Sequence, residues 1–247
     1  MTEQSDIKKV VKQHSEMDDF FSGGFTIRNV YGHQDNEETC ETVEVFPVDN
    51  NRSAELEKIN AEVKNCTKCE LCATRTKTVP GQGNPNAKIV FVGEAPGADE
   101  DAQGIPFVGR AGKLLSDIIA AMGLKRENVF ICNILKCRPP ENRDPKAEEI
   151  VKCIGYLQRQ LAIINPDIII ALGAHAAKTL LNTNDAIGKL RGRFHDYHTS
   201  QGSKPIKLMP TYHPAYLLRN YSDDNRKRVW EDMKKVMAEI GLPLPKK

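Results

Sequence analysis

The sequence predicts an α/β protein, a three-layer αβα sandwich in which helices cover both faces of a central, mostly parallel four-stranded sheet. Two observations predict this architecture. Short apolar segments alternate along the chain with helical segments, which is typical of βαβ units. The apolar segments also lack a polar alternation, as expected of parallel strands that are buried on both faces.

Four apolar segments are the predicted strands. They are Lys88–Val92, Val129–Cys132, Asp167–Leu172 and Ile206–Met209. Apolar residues spaced three and four apart predict the helices between and around them. The first helix contains Leu56, Ile59 and Val63 and leads into the first cysteines. The other predicted helices are Ala111–Met122, Lys146–Ile163, Ala174–Leu181 and Asp224–Ile240.

The charge is distributed unevenly along the chain. The formal net charge is only +2, but residues 1–60 carry 13 acidic and 6 basic side chains. Residues 61–247 carry 29 basic and 20 acidic side chains, so this part of the chain can approach a polyanion. We expect residues 1–52 to be a disordered acidic extension and residues 53–247 to be the folded domain. An alternative is that Asp18–Phe21 in the extension binds an unidentified partner.

Composition excludes several classes of protein. No apolar run reaches the roughly 18–20 residues that a membrane-spanning helix needs. The first residues have no apolar signal core. The seven cysteines are an odd number, which argues against a disulfide framework. We therefore expect a cytoplasmic monomer that does not contact membranes.

The cysteines form two pairs that are typical of metal ligands. The pairs are Cys66-x2-Cys69 and Cys137-x15-Cys153. Four thiolates can hold zinc or an iron–sulfur cluster, although zinc ribbons usually use two tight pairs. Cys72 extends the first pair towards a bacterial ferredoxin pattern, but Thr76 stands where the next cysteine would be. Cys72 is therefore a spare thiol or an alternative ligand.

Polar residues and glycine follow the predicted strands. Glu94, Asn133, Gly173 and His213 come after the first, second, third and fourth strand, respectively. Ligands of parallel α/β sheets bind beyond the carboxyl ends of the strands. The sequence thus predicts a site that combines a carboxylate, an amide and an imidazole. His175, on the helix that follows, is expected to be structural or exposed.

Five segments of the chain resemble the family 4 uracil-DNA glycosylases, the iron–sulfur members of that superfamily. They are NCTKC, GQGNPNAKIVFVGEAPGADED, GIPFVGRAGKLL, CNILKCRPPENRDP and YHPAYLLRN, in this order. The resemblance covers about residues 60–242, and the acidic extension lies outside it. It implies a uracil-DNA glycosylase fold over residues 53–247 and a 4Fe-4S cluster. The implied cluster ligands are Cys66, Cys69, Cys137 and Cys153.

The resemblance also implies roles in binding and releasing uracil. Phe107 corresponds to the aromatic residue that stacks on the extruded base, and Asn133 to the amide that reads its Watson–Crick edge. His213 corresponds to the imidazole that assists the leaving group. Glu94 and Glu100 match two acidic positions, and both are candidate catalytic residues. Gly93 opens the loop whose backbone N–H groups are expected to help bind uracil.

The chemistry of these residue types agrees with such a reaction. The target base must leave the duplex before an enzyme can reach it. An Asn amide both donates and accepts hydrogen bonds, so it can pair with uracil O4 and N3–H, whereas cytosine presents the opposite pattern. We expect His213 to donate to uracil O2 as charge develops. Glu94 is expected to stabilise the sugar cation and to orient the attacking water.

DNA contact requires cations and an apolar wedge. Leu217 or Leu218 is expected to enter the base stack where the uracil has left, as apolar wedges do elsewhere. Basic residues of the second half of the chain are expected to contact phosphates, with a steep salt dependence. These residues are Lys136, Arg138, Arg143, Lys189, Arg191, Arg193 and Arg219.

The expected function is therefore that of a monofunctional uracil-DNA glycosylase in base excision repair. It would act on uracil-containing single- or double-stranded DNA and leave an abasic site. Three alternatives stay open: a relative that binds uracil-DNA tightly or covalently, a non-catalytic nucleic-acid-binding module stabilised by a metal cluster, and a ferredoxin-like redox carrier. Relatives of the first kind carry a histidine-containing insert after the CRPP segment, and here that stretch reads ENRDPKAEE.

Overall fold

A computed structural model describes residues 50–199 and 204–244. Within these residues the chain forms one sheet with the strand order β1-β3-β2-β4-β6-β5. The strands are β1 (Gln82–Gly83), β2 (Ile89–Gly93), β3 (Phe130–Asn133), β4 (Ile168–Leu172), β5 (His195–Tyr197) and β6 (Ile206–Thr211). The four inner strands are parallel, and the two edge strands β1 and β5 are antiparallel to their neighbours. The α/β class is thus confirmed.

The number of strands differs from the prediction. All four predicted strands are present, with ends that differ by at most two residues, but the sheet has six strands where four were expected. The two additional strands are only 2 and 3 residues long and lie at the edges. Gln82–Gly83 is exposed and His195–Tyr197 is partly polar, so neither carries the apolar run that reveals an inner strand.

The described residues form eight α-helices. They are α1 (Asn50–Lys64), α2 (Ala98–Gln103), α3 (Arg110–Ala121), α4 (Ala147–Ile164), α5 (Ala174–Leu181), α6 (Ile187–Leu190), α7 (Pro214–Arg219) and α8 (Asp223–Glu239). In the part of the chain that the structure describes, none of the helices combines the length and the apolar character needed to cross a bilayer.

The side chains of the central strand β2 alternate between two cores. Ile89 and Phe91 pack with Leu114 of α3 and Met233 of α8. Val90 and Val92 instead belong to the cluster that contains residues of α4 and α5, among them Leu157, Leu161, Ala176 and Ala177. Helices therefore cover both faces of the sheet, and this produces the three predicted layers.

The first described helix begins three residues before the predicted domain boundary at residue 53. Helix α1 starts at Asn50, and the Arg52 guanidinium donates to the carbonyl of Ile164 at the end of α4 (3.0 Å). Helix α1 also contributes Ile59 and Val63 to a third apolar cluster. Residues 1–49, with the proposed partner-binding segment, lie outside the described residues, so the extension stays a prediction.

Candidate active site and cysteine pocket

The polar residues that follow the strands meet at one edge of the sheet. Asn133 ends β3 and pairs in register with Gly93, the last residue of β2. Gly173 follows β4, and its N–H donates to the carbonyl of Thr211 at the end of β6 (2.9 Å). His213 lies two residues beyond Thr211 and begins α7. The carboxyl ends of four adjacent parallel strands thus form this edge, as the sequence predicts.

Two glycines let the functional side chains approach each other. A Cβ atom on Gly93 would lie 2.3 Å from Asn133 Oδ1 and 2.6 Å from Phe107 Cζ. A Cβ atom on Gly173 would lie 2.9 Å from the Cβ of His213, and its φ of +89° is a conformation that favours glycine. The rings of Phe107 and His213 are 5.7 Å apart between centroids and inclined by 32°. An amide, an aromatic ring and an imidazole therefore lie close together.

Phe107 is held in a strained backbone conformation. Its φ is +53°, in the left-handed region, which costs about 1–3 kcal/mol for a residue with a side chain. The Arg126 guanidinium donates to the carbonyls of Phe107 (3.1 Å) and Pro106 (2.8 Å). A Cβ atom on Gly112 of α3 would lie 2.0 Å from the Phe107 carbonyl, so the turn rests directly on this helix. Arg126 was not among the predicted site residues, because nothing local in the sequence connects it with residues 106–107.

The Glu100 carboxylate joins two loops of the site. Its Oε2 accepts from the N–H of Gly97 (3.0 Å), and its Oε1 accepts from Val108 (2.9 Å) and Gly109 (3.0 Å). The first loop follows β2, and the second carries Phe107. The direct contacts of Glu100 are thus with backbone N–H groups, which favours a positioning role for this candidate catalytic residue.

The Asn133 amide is buried, and its oxygen lacks a protein partner. Only 2% of Asn133 is exposed. Among the described residues, its Oδ1 has no hydrogen-bond partner. A buried acceptor without a hydrogen bond lowers the stability of the fold by about 1–3 kcal/mol. A ligand that donates an N–H to this oxygen would remove that cost.

The tautomer of His213 follows from its position at the start of α7. Its Nδ1 accepts from the N–H of Ala215 (3.0 Å), so the neutral ring carries its proton on Nε2. Burial is the main cause that lowers the pKa of His213 to about 4; the Arg219 charge acts in the same direction and the Glu100 charge in the opposite one. At neutral pH the residue is therefore a neutral Nε2–H donor.

The predicted ligand cysteines line a single pocket. The residues Cys66, Cys69, Cys72, Cys137 and Cys153 all contribute to its wall. The Lys136 backbone N–H donates to Cys153 Sγ (3.3 Å), and Arg75 donates to Cys137 Sγ (3.2 Å). Burial raises the pKa of the Cys137 thiol to about 11, so ligation by a metal would have to displace its proton.

Several sulfur donors thus line one pocket, and iron–sulfur clusters are held by cysteine thiolates. The residues of this pocket are therefore compatible with a metal cluster.

Comparison with known proteins decides the family. The family model of the uracil DNA glycosylase superfamily matches residues 80–234. The type-4 uracil-DNA glycosylase of Archaeoglobus fulgidus is 48% identical over 77% of this chain and 96% of its own length. The type-4 enzyme of Sulfurisphaera tokodaii is 50% identical over 73% of this chain and 83% of its own length. The type-5 uracil-DNA glycosylase of Pyrobaculum aerophilum is only 26% identical, over 77% of this chain and 88% of its own length.

The chain belongs to the type-4 uracil-DNA glycosylases. Membership in this family is compatible with a metal cluster in the cysteine pocket. The match to the superfamily model begins after Cys66 and Cys69, whereas the type-4 relatives align over most of their own length. The alignment with type-4 relatives thus covers more of this chain than the match to the superfamily model does.

In this type-4 glycosylase, Thr211 and Asp232 anchor the turn that carries His213. The Thr211 hydroxyl donates to Asp232 Oδ2 (2.6 Å), and Asp232 is fully buried. Arg191 binds the same carboxylate through two donors, at 3.1 and 2.6 Å, and lies over the Tyr212 ring at 5.2 Å. Arg191, an expected phosphate contact, thus forms an internal ion pair in the structure.

Two further cations predicted to contact DNA are used within the fold. Lys136 is only 1% exposed, and its Nζ donates to the Asn133 carbonyl (2.9 Å) and to Gln160 Oε1 (2.7 Å). Arg143 forms a bidentate pair with the buried Glu149, at 2.9 and 2.5 Å. The prediction for Lys136 was wrong because sequence alone does not reveal that this lysine points into the interior. The Arg143 pair ties the loop after β3 to α4.

One of the two wedge candidates is also part of the core. Leu217 is 1% exposed and packs in the same apolar cluster as Phe107. Leu218, the next residue, is only partly buried, and Arg219 is exposed. Arg138 is partly exposed and donates to Asn142 Oδ1 (2.8 Å). The surface beside the site thus presents Leu218, Arg219 and Arg138.

Proposed function

We propose that this chain removes uracil from DNA by hydrolysing the N-glycosidic bond, and that it thereby leaves an abasic site for base excision repair. Membership in a family whose relatives are named uracil-DNA glycosylases supports this function. The single observation that carries it is the buried Asn133 Oδ1, which has no partner among the described residues and adjoins the Phe107 ring.

Recognition of uracil rests on Asn133 and Phe107. With Oδ1 accepting from uracil N3–H, the amide N–H₂ donates to O4, and the orphaned oxygen gains its missing partner. Cytosine has no hydrogen on N3 and carries an amino group in place of O4, so both contacts would be lost. The strained, Arg126-clamped turn supports a Phe107 ring that is already oriented for stacking.

The leaving group is stabilised by His213. When the C1′–N1 bond breaks, its electron pair moves onto uracil, and negative charge accumulates at O2. The neutral Nε2–H of His213 donates to this oxygen, as a preorganised donor does in an oxyanion hole. Its lowered pKa supports this role, because the donor stays neutral and is not consumed by protonation at physiological pH.

The attack of water involves Glu94, which directly follows β2. The water oxygen forms a new bond to C1′ while the C1′–N1 bond breaks, and a water proton passes to the Glu94 carboxylate. The ionised carboxylate also stabilises the positive charge on the sugar. Glu100 does not contact the reacting atoms; it positions the two loops through its three backbone hydrogen bonds.

A 4Fe-4S cluster bound by Cys66, Cys69, Cys137 and Cys153 is the proposed occupant of the cysteine pocket. Such a cluster supplies structural cross-linking, since hydrolysis of a glycosidic bond needs no electron transfer. Cys137 lies four residues after Asn133, and Lys136 donates from its Nζ to the Asn133 carbonyl and from its backbone to Cys153 Sγ. These contacts support a rigid link between the cluster and the loop that reads uracil.

DNA binding is assigned to Arg138, Arg219 and Leu218. In this proposal Arg219 and Arg138 bind phosphates, and Leu218 is the wedge that fills the gap left by the base. Since phosphate contacts release counterions, affinity for DNA should fall steeply with salt.

The test is to incubate the protein with single- and double-stranded DNA that contains one uracil, and then to treat the DNA with alkali. Strand scission only after alkali indicates an abasic site without a lyase step. Binding of uracil-DNA with no abasic site would reject the proposal in favour of a binding module. Iron content and the visible absorption band, lost on oxidation, test the cluster separately.

A further inference from the structure

Three ionisable side chains converge next to the proposed water site. They are Glu94 after β2, Asp144 in the loop after β3, and His175 in the first turn of α5, which follows β4. One oxygen or nitrogen atom from each lies within 4.8 Å of the others. His175 Nε2 is 3.6 Å from Asp144 Oδ1. Since β3, β2 and β4 are adjacent, the topology of the sheet creates this group.

The three groups differ in their exposure. The Asp144 side chain is 80% exposed and that of His175 is 40% exposed, whereas Glu94 is half-buried. Burial raises the pKa of Glu94, and the nearby charges then act in opposite directions: His175 and Arg219 lower it, and Asp144 raises it. The charges that act on Glu94 are those of His175, Arg219 and Asp144. They lie on α5, on α7 and in the loop after β3, respectively.

We propose that His175 and Asp144 are positioning residues for Glu94: Asp144 orients the imidazole, and the imidazole holds the Glu94 carboxylate at the place where it receives the attacking water. The inference rests on the proposed function. His175 makes and breaks no bond in the reaction. It favours the ionised form of Glu94, which is the form that can accept a water proton, against the cost of burial.

The test compares pH profiles of kcat/KM on uracil-DNA for wild type, His175→Ala and Asp144→Asn. The rate falls on the acidic side where Glu94 becomes protonated. Loss of His175 should move this acidic limb to higher pH, because a group that lowers the pKa of Glu94 is gone. Loss of the Asp144 charge should move it to lower pH. Both displacements should shrink at high salt, since the groups are partly exposed.

Two further measurements separate positioning from general damage. Affinity for uracil-DNA should be unchanged in His175→Ala, because Asn133 and Phe107 are untouched. In a Glu94→Gln background, His175→Ala should have no further effect on the rate, since the group on which it acts is absent. His198→Ala is the matched control: this exposed histidine follows β5 beside the start of β6, at the opposite edge of the sheet, and its profile should match wild type.

The outcomes are distinguishable from failure of the proposed function. If wild type releases no uracil, the function itself is wrong. If wild type is active and both variants keep the wild-type acidic limb, only the positioning role is wrong. If Mg²⁺ or Mn²⁺ raised the wild-type rate and His175→Ala abolished that response, the three groups would form a cation site, and the proposal would also be wrong.

Discussion

Replacing Gly93 with alanine tests the construction of the uracil pocket directly. The new Cβ would lie 2.3 Å from Asn133 Oδ1 and 2.6 Å from Phe107 Cζ, whereas ordinary contacts begin at 3.4 Å. The amide and the ring must therefore retreat by roughly 1 Å, a displacement that can reduce rates about 10²-fold. We expect kcat/KM on uracil-DNA to fall by at least about 10²-fold, which corresponds to about 2.7 kcal/mol of transition-state stabilisation.

The same substitution should cost less in stability than in activity. Overpacking of a well-packed region costs about 1–3 kcal/mol, so the variant should still fold, and thermal unfolding checks this. The matched control is Gly155→Ala in α4, where a Cβ atom would meet nothing within 4 Å. The control should keep full activity and gain about 0.5–1 kcal/mol. A folded Gly93→Ala variant with wild-type kcat/KM and wild-type inhibition by free uracil would refute the proposed pocket.

The remaining predictions concern recognition, the cluster, the anchor of the His213 turn and the ionisation of His213. Asn133→Ala should lower kcat/KM by about 10²-fold or more, because uracil loses its edge contacts; its unfolding free energy should be unchanged or higher, because a buried acceptor without a partner is removed. Cys137→Ser should reduce iron content and activity in parallel; normal activity per molecule without iron would exclude the structural role. Asp232→Ala should lower the unfolding free energy in urea by about 3–5 kcal/mol, since it leaves the Arg191 charge without its carboxylate; a smaller loss would mean that water replaces the pair. His213 should titrate near pH 4 by NMR rather than at its ordinary 6.5. Because the unfolded chain takes up this proton at the higher pH, the contribution of His213 to stability should decline as pH falls from 6.5 towards 4; titration near 6.5 would exclude a neutral donor held by burial.

Local patterns in the sequence predicted the structure most reliably. The inner strands carry uninterrupted apolar runs because both of their faces are buried, and the helices show the spacing of one buried face. These patterns predicted the α/β class, all four parallel strands and the edge of the sheet at which Asn133 and His213 meet. The edge strands β1 and β5 escaped prediction because they are short and half-solvated.

Side-chain direction and long-range pairing were not available from sequence. A lysine on the loop after β3 is equally compatible with a phosphate contact and with the interior. Only the packing of α4 against that loop, with Gln160 as acceptor, decides that Lys136 is buried. In the same way, Asp232 lies 41 residues from Arg191 in sequence, and only the approach of α8 to the end of β6 makes them partners.

The sequence by itself determined the α/β layers, the type-4 family resemblance and the residue types that are proposed to bind uracil, because apolar periodicity and local motifs are properties of neighbouring residues. The tertiary structure alone decided how those residues are held. It clamps Phe107 with Arg126, joins two loops through Glu100 and brings His175 beside Glu94. It also leaves Asn133 Oδ1 without a hydrogen-bond partner among the residues that the structure describes. Each of these depends on the meeting of segments distant in sequence, which chain topology and packing control and no local pattern records.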